Sequence, residues 1–167
     1  GGRGLGAIQE DEALDLAAWQ YARWTGVGLD HARDAIKLDY DAPLAHSALA
    51  LQLLAHESAA VSHPELVAAL RQTRRLLEAG CGEDREVAHA TAVEAWAAGD
   101  LLKAAGVYEE WLLKHPTDLL ALRGAHDAWL ALGDGRSMLE SVARARPFWD
   151  PTAFGYGQML AMHAFAL

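Results

Sequence analysis

The residues with the clearest chemical potential are histidines. His89, His126 and His163 recur at intervals of 37 residues, and Asp127, Glu94 and Asp100 stand near them in the chain. Imidazole and carboxylate together form the donor set that zinc or iron takes up. If the three histidines sit on equivalent helices of a repeat, this spacing sets them in a diagonal row along one wall. None of the tight spacings of metal sites, such as H-E-x-x-H, occurs in the chain. A second reading therefore stands beside the first, in which each ring is a packed, hydrogen-bonded residue of the interior, His126 above all. Other catalytic signatures are missing: the chain holds no G-x-S-x-G and no glycine-rich loop followed by lysine. Cys81 lies between two glycines with no basic neighbour to activate it. The six tryptophans (Trp19, Trp24, Trp96, Trp111, Trp129 and Trp149) fall at helical spacing and read first as core. Trp96 and Trp129 come near the ends of helices, where a ring edge can reach a groove.

The elements that position these residues are helices. Alanine and leucine dominate the 167 residues, and the five prolines fall where a helix must start or stop. From Arg85 to Pro147 the chain reads as two consecutive helix-turn-helix units. Each has an apolar first helix, a Gly-Asp pair (Gly99-Asp100, then Gly133-Asp134), a second helix and a closing proline, Pro116 or Pro147. Glycine accepts the left-handed backbone that ends a helix, and the aspartate behind it accepts hydrogen bonds from the free N–H groups of the next one. The two pairs lie 34 residues apart, which is the tetratricopeptide period. Ala104, Tyr108 and Pro116 supply the small residue, aromatic and terminal proline of that repeat, and Ala92 is small where paired helices approach.

The fold expected is all-α, a TPR-like α-α superhelix of antiparallel pairs with about nine helices. Residues 1–10, rich in glycine, read as a flexible lead-in, and residues 11–167 as the repeat domain. The first helix is predicted from Asp11 to Thr25, with Leu14, Ala17, Ala18, Tyr21 and Trp24 on one face, ended by Gly26 and Gly28. A second follows from Asp30. The third, Pro43 to about Glu57, is apolar nearly all round and should be buried. Ser62 and Glu65 around Pro64 read as a capping box for the fourth. Arg71, Arg74 and Arg75 near its end complement the helix dipole or form an anion-binding patch. On the sixth helix Lys103, Glu109, Glu110 and Lys114 should point away from the core. Asp150-Pro151 reads as the start of the last helix, which carries Tyr156, Met159, Leu160, His163 and Ala166 on one side. Met159 to Leu167 lacks the polar surface of a terminal repeat, which predicts further sequence or cover by another chain.

REVAHATAVEAWAAGD, HPTDLLALRGAHDAWLALGD and GYGQMLAMHAFAL resemble, in the same order, motifs of the N-terminal part of the tetratricopeptide repeat protein thirty-eight family. The resemblance covers Arg85 to Leu167 and is looser before it. It implies an α-helical superhelix that continues past this point, and no established activity. Ala166 stands where the family motif has glycine followed by an acidic pair.

A net charge of −9, with 14 basic residues spread along the chain, repels a phosphate backbone and argues against nucleic acid. A lone cysteine suits a reducing compartment, no apolar run reaches the roughly 20 residues of a membrane span, and no signal-peptide pattern opens the chain. These features point to a cytoplasmic protein that needs no cofactor. The function expected is a scaffold that binds a peptide, a partner protein or another copy of itself, the last through the C-terminal helix. By repeat register its concave surface carries Glu86, His89, Val93 and Trp96 on one helix and Leu120, Arg123, Asp127 and Leu130 on the next. The alternative is an enzyme or a metal- or small-molecule-binding protein that uses the histidine row.

Overall fold

The computed structural model describes residues 27–56 and 59–167. The predicted lead-in, the helix from Asp11 to Thr25, and Trp19 and Trp24 lie outside the described residues. Those described form eight helices: α1 (Val27–Leu38), α2 (Pro43–Ala55), α3 (Pro64–Glu78), α4 (Asp84–Ala97), α5 (Leu101–Lys114), α6 (Leu119–Leu132), α7 (Gly135–Ala145) and α8 (Tyr156–Ala166). A short 3-10 turn, Arg146–Phe148, follows α7. Among the described residues there is no strand, and no helix is long and apolar enough to cross a membrane.

Each helix packs on the next, and two run through the middle. Every residue of α2 from Pro43 to Leu53 is buried, and so is every residue of α6 from Leu119 to Ala128. Such burial requires neighbours on all sides, and α2 has them in α1, α3, α4 and α6. The contact between α2 and α6 means that α4 does not hold the two apart.

Helix ends follow local chemistry where the sequence carries it. Gly80, Gly99 and Gly133 are left-handed, with φ of 80°, 82° and 71°. After α4, Gly99 N–H donates to the Trp96 carbonyl and Asp100 N–H to that of Ala95; after α6, Gly133 and Asp134 repeat the pattern on Leu130 and Trp129. The aspartates then cap the following helices, Asp100 accepting from Lys103 N at 3.0 Å and Asp134 from Ser137 N at 2.9 Å. This reciprocal arrangement satisfies carbonyls of one helix and amides of the next within five residues.

Elsewhere longer-range partners override local signals. The helix expected from Asp30 starts at Val27 and takes in Gly28, while the end of the helix before it lies outside the described residues. Ser62 and Glu65 form no capping box: His63 is the N-cap of α3, with no side-chain bond. Glu65 instead takes two bonds from the Arg33 guanidinium, at 2.8 and 3.0 Å, because a planar fork on a carboxylate is stronger than one bond to an amide. A capping box does form where none was expected, with Glu86 reaching back to Glu83 N at 2.9 Å at the start of α4. Asp150-Pro151 makes a turn closed on Thr152, and α8 starts later, after the left-handed Gly155. Glu109 does not point away: it accepts from the Trp129 indole at 2.9 Å and pairs with Arg144.

The α5–α6 contact is set by one glycine. A Cβ on Gly124 would stand 2.6 Å from the ring of Tyr108, which is 1% exposed. Only a bare Cα leaves room for that ring against α6. Gly124→Ala should cost about 1–3 kcal/mol by overpacking. Gly106→Ala, in α5 where a Cβ meets nothing within 4 Å, should add about 0.5–1 kcal/mol through helix propensity. Urea unfolding of the two variants checks the opposite signs.

Candidate functional site

The strongest polar constellation among the described residues centres on Asp118, the N-cap of α6, whose side chain is 5% exposed. Its two oxygens accept from Arg85 Nε at 2.8 Å and Nη2 at 3.2 Å, from His89 Nε2 at 3.2 Å, from Trp111 Nε1 at 3.0 Å and from Ala121 N at 3.1 Å. The donors come from α4, α5 and α6. Because a carboxylate only accepts, the His89 proton sits on Nε2. Burial pushes the Asp118 carboxyl up, but His89 and Arg85 outweigh it and hold the group well below the usual carboxylate range. The same surroundings raise the Tyr108 phenol, through burial first and then the charges of Asp118 and Asp127. The arrangement binds a charge inside the fold and ties three helices together.

The histidine row does not assemble. His89 belongs to the Asp118 cluster and meets the Tyr108 ring edge-on, with centroids 5.7 Å apart. His126 is 1% exposed with neither ring nitrogen hydrogen-bonded, its ring 5.6 Å from that of Phe165 on α8. His163 Nδ1 lies 3.2 Å from Arg146 Nη1. Three rings thus have three separate settings, and among the described residues no group of three or more His, Cys, Asp or Glu side chains is placed to hold a metal. The expectation of a packed, hydrogen-bonded His126 is half met: it is packed, without a hydrogen bond. Burial and then the Arg123 charge lower it from 6.5 to about 4, against the opposing pull of Asp127.

Of the eight residues placed on a concave binding surface, five are interior. His89, Val93, Leu120, Arg123 and Asp127 are between 0 and 7% exposed, and Arg123 and Asp127 are bonded to each other through Nε at 2.9 Å and Nη2 at 2.7 Å. The inner faces of α4 and α6 meet other helices instead of open solvent, because α2 closes on both. Glu86 and Trp96 are partly accessible and Leu130 is 44% exposed. Glu86 serves the α4 cap, so Trp96 and Leu130 are the apolar members left at the surface.

Two surface depressions adjoin these helices. One follows the α4–α5 seam, from Asp84, Lys114 and His115 past Val87 and Trp111 to Thr91 and Val107, so the two helices run antiparallel. Its end is built by His115 stacked on Trp111, with centroids 3.8 Å apart. The other lies at the opposite end of α4, where Trp96, Ala97, Ala98 and Gly99 meet Leu54, Ala59 and Val61. The arginine group on α3 is engaged in part: Arg74 pairs with Glu94 of α4 and Arg75 bonds Gln72. Cys81 is exposed and free. Asp118 escaped sequence reasoning, since its partners Arg85 and His89 stand 33 and 29 residues away.

Asp118→Asn should cost roughly 3–5 kcal/mol, since it leaves the Arg85 and His89 donors facing a neutral amide, whereas the same exchange at the solvent-facing cap Asp134 should cost far less. Equilibrium unfolding at neutral pH measures both. His126, depressed in the folded state, binds its proton more readily when unfolded. Stability should therefore be flat above pH 6.5 and fall by roughly 1–3 kcal/mol as pH drops toward 4. His126→Leu should reduce that fall and leave the share of His46, which burial also depresses; parallel unfolding series at pH 7 and pH 5 will reveal it.

No protein-family model matches the chain, and no solved structure matches it.

Proposed function

We propose that this chain is a TPR-like scaffold that binds a protein or peptide partner, or a second copy of itself. The observation that carries the reading is that the pair α4–α5 is tied to the pair α6–α7 by two polar contacts, each at repeat spacing. Arg85 of one pair holds Asp118 of the next, and the Pro116 carbonyl closing one pair accepts from the Trp149 indole at 3.0 Å. Both ties span 33 residues, close to the 34 between the Gly-Asp caps. A stack held together by its own polar ties presents side chains at fixed positions, which is what a recognition surface needs. The resemblance to the tetratricopeptide repeat protein thirty-eight family agrees with this reading. Trp96 and Leu130 belong to the contact surface, while Leu120 and Val93 serve the packing behind it. The net charge of −9 favours a basic partner over nucleic acid.

Native mass spectrometry of the untagged protein from its source cells tests the proposal. A stoichiometric protein partner or a self-complex supports it; a lone chain carrying only a metal or small molecule overturns it. Leu130→Glu should weaken binding and leave the melting temperature of the free chain unchanged. Leu120→Ala should cost about 2–5 kcal/mol of stability instead.

A further inference from the structure

We propose that the pocket at the C-terminal end of α4 receives a lysine or arginine side chain from a partner segment whose neighbouring residues are apolar. This inference rests on the scaffold reading and specifies the chemistry of its partner. Among the described residues, every side chain around the pocket is apolar except for the Trp96 indole, and none is charged: the wall they form is Leu54, Ala59, Val61, Trp96, Ala97, Ala98 and Gly99. Its polar surface is therefore main chain, apart from the indole N–H.

The hydrogen bonds at this helix end show which main-chain groups are engaged. Ala98, Gly99 and Asp100 amides donate to the carbonyls of Glu94, Trp96 and Ala95. No hydrogen bond reaches the carbonyls of Ala97 and Ala98. Two carbonyls without a donor among the described residues thus sit at the negative end of the α4 dipole. A cation is the complement of that end, and an ammonium or guanidinium carries the donors those carbonyls lack. Trp96 adds an aromatic face, the best of the side-chain surfaces for a cation. The methylene stem of lysine or arginine suits the apolar remainder of the wall, and exposed Val61 (65%) offers contact to apolar flanking residues. At about 500 Å³ the pocket has room for a long side chain together with part of its neighbours. The charge of −9 on the chain adds a field of the same sign.

Protein-observed ¹H–¹⁵N NMR tests this with three capped hexapeptides, acetyl-Ala-Leu-X-Leu-Ala-Ala-amide, in which X is lysine, norleucine or glutamate. The lysine peptide should move the Trp96 indole N–H and the Gly99 amide in a saturable way, and should bind roughly tenfold more tightly than either counterpart. Trp96→Ala should abolish the shift at Gly99, and Trp96→Phe should retain part of the affinity. Equal binding of the three peptides, or no perturbation at Trp96 and Gly99, overturns the proposal. Because the peptide comparison uses the unmodified protein, it decides the matter even if Trp96→Ala does not fold. Lysine-specific shifts centred on Trp111 in the α4–α5 seam would also overturn this pocket while leaving the scaffold reading in place. That reading fails only if the native mass spectrum shows no protein partner and no self-complex.

Discussion

A carboxylate removed from water must find donors inside the protein or lose its charge. Asp118 meets this demand with five hydrogen bonds drawn from three helices, and the demand fixes how those helices meet. Arg85 and His89 stand one turn apart on α4, so the register of that helix is set against the start of α6. Trp111 enters from the last turn of α5 and sets its end at the same point. Ala121 N–H, a main-chain donor, ties the group to the first turn of its own helix. Arg85 is 44% exposed and carries the cluster to solvent, which leaves part of the pair hydrated and lightens its desolvation.

Apolar packing supplies the rest of the order. α2 is surrounded because it offers no polar face to water, and its neighbours arrange themselves about it. Between α5 and α6 the fit is steric: the buried Tyr108 ring needs the missing side chain of Gly124. Trp149 repeats the theme farther along, buried beside Gly155 and Leu119 with its indole on the Pro116 carbonyl. In each place a large ring meets a glycine, and a polar atom chooses the orientation that apolar contact leaves open.

Features settled within one turn of chain were legible in the sequence. Gly99-Asp100 and Gly133-Asp134 could be read as helix ends because their acceptors and amides lie within five residues. The buried α2 could be read because an apolar circumference has a single outcome. Glu65 could not, since Arg33, 32 residues earlier, competes for it and wins. Periodicity identifies the inward face of a helix but not what that face meets, and so Val93, Leu120, Arg123 and Asp127 were expected on a groove and lie against other helices. Asp118 drew no attention in the sequence; only the third dimension brings Arg85, His89 and Trp111 to it. The Trp96 pocket was half legible, as a ring near a helix end, while the carbonyls beside it that no described donor reaches are a property of the folded backbone.

The central claim is that an ionised Asp118 joins α4, α5 and α6, and the ¹³C chemical shift of its side-chain carboxyl followed from pH 7 downward tests it most directly. The account predicts a carboxylate that stays ionised through the ordinary carboxyl range and titrates only as the protein unfolds, together with loss of the Trp111 indole shift. An Asp118 carboxyl that titrates near its ordinary value of 3.8 while the fold persists would contradict it.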